Sequence, residues 1–220
     1  MADQPQALTP LEARILGVLI EKEKTTPDAY PLTVNGLTAG CNQKTSRDPV
    51  MNLHEREIQA GLEELRSRFL VLETSGASGR VMRYAHNFGK VYQLPGAAVA
   101  LLAVLLLRGP QTVSELRANC DRLHRFADAS SVEGYLEELA TRPDGALAVQ
   151  LPKQPGSREH RWAHLLCGEL PALPGVDTQG PPSRAGTREL EDRVTRLEQE
   201  VTELRAQLLD LLDQLSSPAA

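Results

Sequence analysis

Apolar residues between Asn52 and Phe69 recur at the three- and four-residue spacing of one helix face. They are followed by two short β-rich segments, residues 70–74 and 80–86, which flank a glycine-rich turn. This pattern predicts a helix that leads into a β-hairpin. The apolar positions on the predicted helix face are Ile58, Leu62, Leu65 and Phe69.

The same pattern occurs a second time in the chain. The tetrapeptide Leu-Glu-Glu-Leu stands at residues 62–65 and again at 136–139, and each predicted hairpin ends in an aromatic residue, Tyr84 or Trp162, followed by Ala and His. The second hairpin turns at Pro155-Gly156. Two further helical segments precede each repeat. Three helices and a hairpin make a winged helix-turn-helix, so we predict an α+β, mainly α fold with two of these units in tandem.

Several helix starts are marked by Ser or Thr followed three residues later by Glu, the pattern of a capping box. The first helix is predicted to begin after Thr9, with Pro10 at its first position. Residues 97–107 are apolar on all sides, which predicts a helix covered by several neighbours, near the contact between the two units. The other predicted caps are Thr33, Thr112 with Glu115, and Ser130 with Glu133.

The C-terminal part of the chain differs from the two repeats. Residues 1–95 and 96–167 are the predicted winged-helix domains, 168–186 are a Pro- and Gly-rich linker, and 187–220 are a coiled-coil helix. Valine at two a positions and leucine at the d positions favour a parallel two-stranded coiled coil, and therefore a homodimer. The predicted dimerisation residues are Leu190, Val194, Leu197, Val201, Leu204, Leu208, Leu211 and Leu215.

Composition is ordinary for a globular protein, with 220 residues of which 41% are hydrophobic and 24% charged. Residues 1–9 have neither the basic start nor the apolar core of a signal peptide. The longest apolar run, residues 97–107, is well short of the ~20 residues that span a bilayer. We therefore expect a cytoplasmic protein without membrane contact. The three cysteines form no Cys-x-x-Cys pair and are expected to be buried thiols: Cys41, Cys120 and Cys167.

The net charge of −5 is unevenly distributed along the chain. Residues 1–95 carry 11 Lys or Arg against 11 Asp or Glu, residues 96–167 carry 8 against 8, and residues 168–220 carry 5 against 10. Neither predicted winged helix has the basic excess that marks an obvious nucleic-acid-binding domain. Charge alone therefore does not establish DNA binding.

A family resemblance lies in short passages distributed over the chain. They include Tyr30-Pro31-Leu32, Cys41-Asn42-Gln43-Lys44-Thr45, Pro49-Val50-Met51-Asn52-Leu53, Leu105-Leu106-Leu107-Arg108-Gly109 and Pro155-Gly156-Ser157-Arg158-Glu159. With these passages the chain resembles the YceH family of uncharacterised bacterial proteins over nearly its whole length. The resemblance implies a tandem winged-helix fold, similar in shape to transcriptional regulators, and implies no established activity.

A winged helix binds DNA by placing a helix in the major groove and Lys or Arg side chains on phosphates. Residues 53–68 and 131–141 would be the groove-facing helices, and the hairpins around Gly76 and Gly156 would contact the backbone. The coiled coil would set the spacing of two half-sites. The candidate DNA-binding residues are Lys44, Arg47, Arg56, Gln59, Arg80 and Arg83 in the first unit and Arg117, Arg122, Arg125, Lys153, Arg158 and Arg161 in the second.

Other chemistry has little support in the sequence. Arg56, Arg66 and Arg68 have the alternative role of pairing with glutamates on a solvated helix. Cys120 with His124, and the group His160, His164 and Cys167, lack the four suitably spaced ligands of a structural zinc site, so no metal or cofactor is predicted. Phosphate-loop, metalloprotease and serine-hydrolase motifs are missing from the sequence, so we predict no enzyme.

Two functions remain open. The leading hypothesis is a homodimeric DNA-binding transcriptional regulator, which depends on fold analogy more than on site chemistry. The alternative is a protein–protein adaptor built from winged helices, which the near-neutral units and the acidic C-terminal segment favour. A continuous positive face across both third helices would support DNA binding, whereas an exposed apolar patch would support a protein partner.

Overall fold

The computed structural model describes residues 7–75, 81–153, 157 and 159–168. The chain divides into residues 1–171 and 172–220, and the second part lies outside the described residues. The predicted linker and coiled coil therefore also lie outside them. In the described part the α+β, mainly helical class is confirmed. Its elements are α1 (Pro10–Thr25), α2 (Val34–Cys41), α3 (Glu55–Ser67), β1 (Val71–Ser75), β2 (Met82–His86), α4 (Phe88–Val91), α5 (Gly96–Arg108), α6 (Val113–Cys120), α7 (Ala129–Ala140), β3 (Ala148–Gln150) and β4 (Trp162–His164).

Each helical repeat ends in an antiparallel pair of strands. In the first pair Val71 lies opposite His86, and in the second Ala148 lies opposite His164. The last strand of each pair also forms a one-residue bridge on its other side. Leu32, two positions before α2, bridges to Tyr84 of β2, and Gln111, two positions before α6, bridges to Trp162 of β4. The repeat read from the sequence therefore extends to a third, one-residue strand that the sequence pattern did not show.

Helix α1 lies at the centre of the described fold, because it contacts α2 and α3 on one side and α5 on another. Its nine consecutive residues from Glu12 to Ile20 are all buried. Close packing depends on glycine at the contact with α5: a Cβ atom at Gly17 would lie 2.8 Å from the Cγ atom of Leu107. Gly61 of α3 is equally close, since a Cβ there would lie 2.7 Å from Ile15 Cδ1.

Helix α5 joins the two repeats, as its all-round apolar pattern predicts. Every residue from Ala97 to Leu107 is buried. Two hydrogen bonds tie its end to the first repeat: the Asp48 N–H donates to the Leu107 carbonyl at 2.8 Å, and the Arg108 guanidinium donates to Ser46 Oγ at 2.6 Å.

The long connection between α2 and α3 is held by buried polar contacts. Arg14 of α1 donates to the carbonyl oxygens of Cys41 at 3.1 Å and Pro49 at 2.6 Å. Asn42 exchanges two hydrogen bonds with the backbone of Leu53, at 2.7 and 2.8 Å. Because these groups are satisfied within the protein, a connection longer than a minimal helix-turn-helix turn is ordered.

Most predicted helix starts are confirmed. The Thr9 and Glu12 capping box at α1 and the Thr112 and Glu115 box at α6 are both formed, and Thr33 caps α2. The prediction for α7 is wrong, because Asp128 is its cap and Ser130 and Ser131 lie inside the helix. The Asp128 carboxylate accepts hydrogen bonds from both serines, which lowers the pKa of Asp128 to about 2.

Two other predictions need correction. Helix α3 begins at Glu55 and ends at Ser67, so the predicted helix between Asn52 and Phe69 is too long at both ends. Cys41 and Cys120 are buried as predicted, but Cys167 is exposed. Cys167 lies in a turn three positions after the end of β4, outside the paired strands.

The equivalent histidines at the ends of the hairpins, His86 and His164, are both half-buried. Burial lowers the pKa of His86, which lies 3.4 Å from Glu23, and lowers the pKa of His164 to about 4. Below the ordinary histidine pKa of about 6.5 the unfolded chain therefore binds a proton that folded His164 does not.

We expect His164 to make the protein less stable as pH falls from about 6.5 towards 4. Between pH 7 and pH 4.5 the protonation of His164 in the unfolded chain should lower the free energy of unfolding by about 2.5 kcal/mol. This value follows from the difference between the pKa of His164 in the folded protein and in the unfolded chain. Urea unfolding at the two pH values measures it. His164→Phe should reduce the pH dependence by this amount, whereas His160→Gln, at an exposed position, should leave it unchanged. An equal pH dependence in wild type and His164→Phe would contradict the assignment.

Candidate protein-interaction surface

The twelve candidate DNA-binding residues are not equivalent in the structure. Arg80 and Arg158 lie outside the described residues. Arg47 is buried, and Arg83 and Arg161 are half-buried. The exposed ones are Lys44, Arg56, Gln59, Arg117, Arg122, Arg125 and Lys153.

Arg83 and Arg161 occupy matching positions and make matching contacts. Each directly precedes the aromatic residue of its hairpin. Arg83 donates to the carbonyl of Pro31 at 2.7 Å, and Arg161 donates to the carbonyl of Pro110 at 2.9 Å and pairs with Glu115. Their guanidinium groups therefore fasten each hairpin to the segment before the second helix, a repeated role that the sequence analysis missed. Arginine at the same distance before Tyr84 and Trp162 was the signal that could have revealed it.

Arg47 has a structural role as well. Its side chain is fully buried and forms a salt bridge with Glu21 of α1 at 2.6 Å. It also donates to the carbonyl oxygens of Gly40 and Ser46 and to the side chain of Gln43. Arg47 therefore holds the connection between α2 and α3 against α1, away from the solvent-facing surface.

The exposed faces of the third helices are acidic. In α3 four exposed glutamates accompany two exposed arginines, Arg56 and Arg66. Arg66 pairs with Glu73 at 2.7 Å, so it is already neutralised. Helix α7 contains no Lys or Arg. The exposed glutamates are Glu55, Glu57, Glu63 and Glu64 in α3 and Glu133, Glu137 and Glu138 in α7.

Exposed cations of the second repeat surround the turn between α6 and α7. Arg117 donates to the carbonyl of Ala127 at 2.9 Å, and Arg125 lies 3.8 Å from Asp121 with its side chain 89% exposed. Arg122 is exposed beside them. Asp121 and the capping carboxylate of Asp128 share this surface, so it has no strong positive excess.

Phe69 has an unusual backbone conformation directly after α3. Its φ of 56° lies in the left-handed region. Its N–H donates to the carbonyl of Arg66, and the next N–H, of Leu70, donates to the carbonyl of Leu65. These two bonds are those of a Schellman motif, in which glycine is favoured at the left-handed position because it has no Cβ.

Large apolar side chains are exposed around the first hairpin. We define the hairpin patch as Phe69, Leu72, Val81 and Met82, which are exposed by 71%, 42%, 52% and 41%. The strand register places Leu72 and Val81 on one face of the hairpin and Met82 on the other. They account for four of the six large hydrophobic residues that are exposed in the described part of the chain. The matching second hairpin differs, since Val149, the counterpart of Leu72, is half-buried and the residue opposite it, Ala163, is 2% exposed.

A family model described as "Protein of unknown function, DUF480" matches residues 8–157. The chain belongs to the DUF480 family. The match covers the helices of both repeats, the whole first hairpin and the first strand of the second, and it confirms the expected membership of an uncharacterised bacterial family.

Relatives of the DUF480 chain cover nearly its full length. A UPF0502 protein of Dechloromonas aromatica is 56% identical over 211 residues, which is 96% of this chain and 98% of that protein. UPF0502 proteins of Leptothrix cholodnii and an Acidovorax species are 52% and 53% identical, over 94% of this chain and 95% and 94% of their own lengths.

Two further observations describe what the DUF480 chain contains. None of its described helices is both long and apolar enough to cross a lipid bilayer. Among the described residues no three His, Cys, Asp or Glu side chains are grouped as metal ligands. The thiol of Cys120, considered with His124 as a ligand pair, instead lies 3.7 Å from the carbonyl oxygen of Ala100 inside the core.

Proposed function

We propose that the chain is a non-catalytic tandem winged-helix protein that acts as a protein–protein adaptor. The observation that carries the proposal is the hairpin patch, in which Phe69 is 71% exposed and held at a φ of 56°. Each repeat has the three helices, the hairpin and the bridging residue of a winged helix, which supports that fold.

Phe69 lowers the stability of the isolated protein for two reasons. A left-handed backbone disfavours a non-glycine residue by about 1–2 kcal/mol, and an exposed aromatic ring contributes little burial. Strained residues concentrate where proteins bind other molecules, and aromatic residues are the common anchors of protein interfaces. Burial against a partner gives Phe69 a role that the isolated fold does not.

The charges of the third helices favour a protein partner over DNA in the grooves. Phosphates repel the carboxylates that dominate the exposed faces of α3 and α7. A DNA-binding helix needs the opposite charge on that face. The groove-facing arrangement expected for residues 53–68 and 131–141 therefore has weak electrostatic support.

We expect Phe69→Gly to abolish partner binding while leaving the free energy of unfolding equal or higher, because glycine relieves the left-handed strain. Tagged full-length protein is used to capture partners from nuclease-treated extract of its own cells, and urea unfolding gives stability. Val50→Ser, at an apolar position that is 57% exposed outside the hairpin patch, is the matched control.

The expected result is protein capture that survives nuclease and Val50→Ser but is lost with Phe69→Gly. Capture that nuclease removes, or that Phe69→Gly leaves intact, would contradict the adaptor function.

DNA binding is the second candidate function, favoured by the exposed cations Arg117, Arg122 and Arg125. A gel-shift titration against genomic fragments at low and moderate salt tests it. Binding at micromolar protein that weakens with salt and is lost in the Arg122→Ala and Arg125→Ala double variant would establish it. No shift, or a shift without salt dependence, would eliminate it.

The heptad pattern from Leu190 to Leu215 supports a further part of the proposal, a homodimer. Sedimentation of the full chain is expected to give the mass of two copies. Leu204→Glu, at a d position, should give one copy, and Gln199→Glu, at the outward f position, should leave the dimer intact. A monomeric wild-type chain would contradict this part.

A further inference from the structure

Strand β1 is an edge strand with an open side. The Asn87 N–H donates to the Leu70 carbonyl at 2.8 Å, so Leu70 and Asn87 are a hydrogen-bonded pair. Along an antiparallel pair of strands, hydrogen-bonded and non-hydrogen-bonded residue pairs alternate. The backbone groups of Leu72 and Thr74 therefore point towards β2, and those of Val71, Glu73 and Ser75 point away from it. On the far side of β2, Tyr84 exchanges both backbone hydrogen bonds with Leu32, as this alternation requires. No described residue pairs with the outward side of β1.

This edge has little of the usual protection against strand pairing. Proteins guard edges with charged residues, lysine above all, with proline, with a bulge or with a very short strand. The one charged residue of β1 is Glu73. Strand β1 has five residues in unbroken register and contains neither proline nor lysine. Strand β3 also has no described partner on its outward side, but it has only three residues, and Ala163 of β4 is buried on the outer face of the pair. Among the described residues, an open edge of five residues is therefore found only in the first hairpin.

The two sides of β1 differ in chemistry. On the outer face Leu72 is 42% exposed, and Phe69, two positions before β1, is 71% exposed. On the other face Glu73 pairs with Arg66 at 2.7 Å and accepts from the Tyr84 hydroxyl at 3.4 Å. Glu63 is exposed three positions before Arg66 in α3, so it lies on the same helix face as the arginine that contacts Glu73. Carboxylates thus outnumber the single guanidinium on that face.

We infer that an extended segment of a partner protein adds to β1 as a further strand, with apolar residues beside Leu72 alternating with Lys or Arg beside Glu73. Alternation follows because successive side chains of a strand point to opposite faces. Main-chain hydrogen bonds to Glu73 and Ser75 provide affinity, as in other cases of strand addition. The backbone of Val71 is covered, since this residue is only 2% exposed. The inference depends on the proposed adaptor function and specifies how its partner binds.

A second copy of this chain fits the edge less well than such a peptide. A symmetric antiparallel pair centred on β1 would place Glu73 directly opposite Glu73 of the other copy. Like charges in that position destabilise a sheet. A cation from a different chain removes the repulsion.

Selection of a displayed library of random twelve-residue peptides on the full-length protein tests the inference. Ser75→Pro removes an outward-facing N–H at the end of β1, a position where a strand tolerates proline. Gln150→Pro makes the matching change in β3 and is the control. Leu72→Thr, which keeps strand propensity but removes the apolar contact, serves as a second variant if Ser75→Pro fails to fold, as judged by circular dichroism.

We expect enriched peptides to alternate apolar and basic residues at a period of two. Their affinity should fall at least tenfold with Ser75→Pro or Leu72→Thr and remain unchanged with Gln150→Pro. Peptides with helical spacing, peptides insensitive to both β1 variants, no enrichment, or self-association of the chain through β1 would each overturn the inference. Natural partners that are lost with Phe69→Gly but bind Ser75→Pro normally would leave the adaptor function standing and eliminate strand addition alone.

Discussion

Replacing Arg47 by alanine is expected to lower the free energy of unfolding by about 3–5 kcal/mol, the usual effect of breaking a buried ion pair. The guanidinium bonds both carboxylate oxygens of Glu21, at 3.1 and 2.6 Å, and the carbonyl of Gly40 at 3.1 Å. Alanine leaves Glu21 without its strongest partner and leaves buried acceptors without donors. The connection between α2 and α3 should therefore detach from α1.

Urea unfolding of wild type and Arg47→Ala measures this loss, and Lys44→Ala provides the matched control. Lys44 lies in the same connection, is exposed, and forms no ion pair within the described residues, so its removal should change stability by less than about 0.5 kcal/mol. An Arg47→Ala variant within about 1 kcal/mol of wild type would show that the buried pair is not holding this segment.

Replacing Gly17 by leucine is expected to destabilise the protein by about 3 kcal/mol, because α1 and α5 approach each other at this glycine. Even a Cβ atom would lie 2.8 Å from Leu107 Cγ and 3.4 Å from Leu106 Cβ. Both neighbours are buried, so the added side chain can be accommodated only if α5 moves away from α1. The contact between the two repeats would loosen.

Thermal and urea unfolding of Gly17→Leu test the helix contact, with Gly134→Ala as the control. Gly134 lies at an exposed position of helix α7, where a Cβ would meet nothing within 4 Å. Alanine there should raise stability by up to about 1 kcal/mol through helix propensity. Opposite signs for the two variants are expected. Unchanged stability of Gly17→Leu would mean that the repeats tolerate a wider separation than their packing indicates.

At the end of α3, the residue that would favour stability differs from the residue that would favour binding. The Schellman bonds of Phe69 and Leu70 favour glycine at the left-handed position, yet the chain has an exposed phenylalanine there. The same segment leads into β1, whose outward edge is open. An exposed aromatic side chain, two positions before a strand whose outward backbone groups have no partner among the described residues, provides an anchor and a template for a partner strand.

Much of the local structure followed from the sequence because its signals are short-range. The capping pairs Thr9 with Glu12 and Thr112 with Glu115 involve residues three positions apart, and both formed as predicted. Asp128 competed successfully with the predicted cap of α7, since its carboxylate accepts from two hydroxyls and one backbone N–H. Local competition of this kind depends on geometry that residue types alone do not specify.

Predicting the exposed surface from the sequence was harder. Arg47, Arg83 and Arg161 looked like solvent-facing cations, but each bonds groups 26 or more positions away in the chain. The exposure of Phe69, predicted as the last apolar position of a helix stripe, depends on where α3 ends. A change of a few residues at a helix end moved this ring from the expected core to the surface.

The sequence by itself determined the duplicated order of helices and hairpins, because hydrophobic period and capping are properties of neighbouring residues. Only the tertiary structure decided that α1 is buried along nine consecutive residues, with α5 packed on it at Gly17. It also decided which arginines are internal ties and which apolar side chains stay uncovered. Those outcomes depend on contacts between distant segments, whose partners no local pattern encodes.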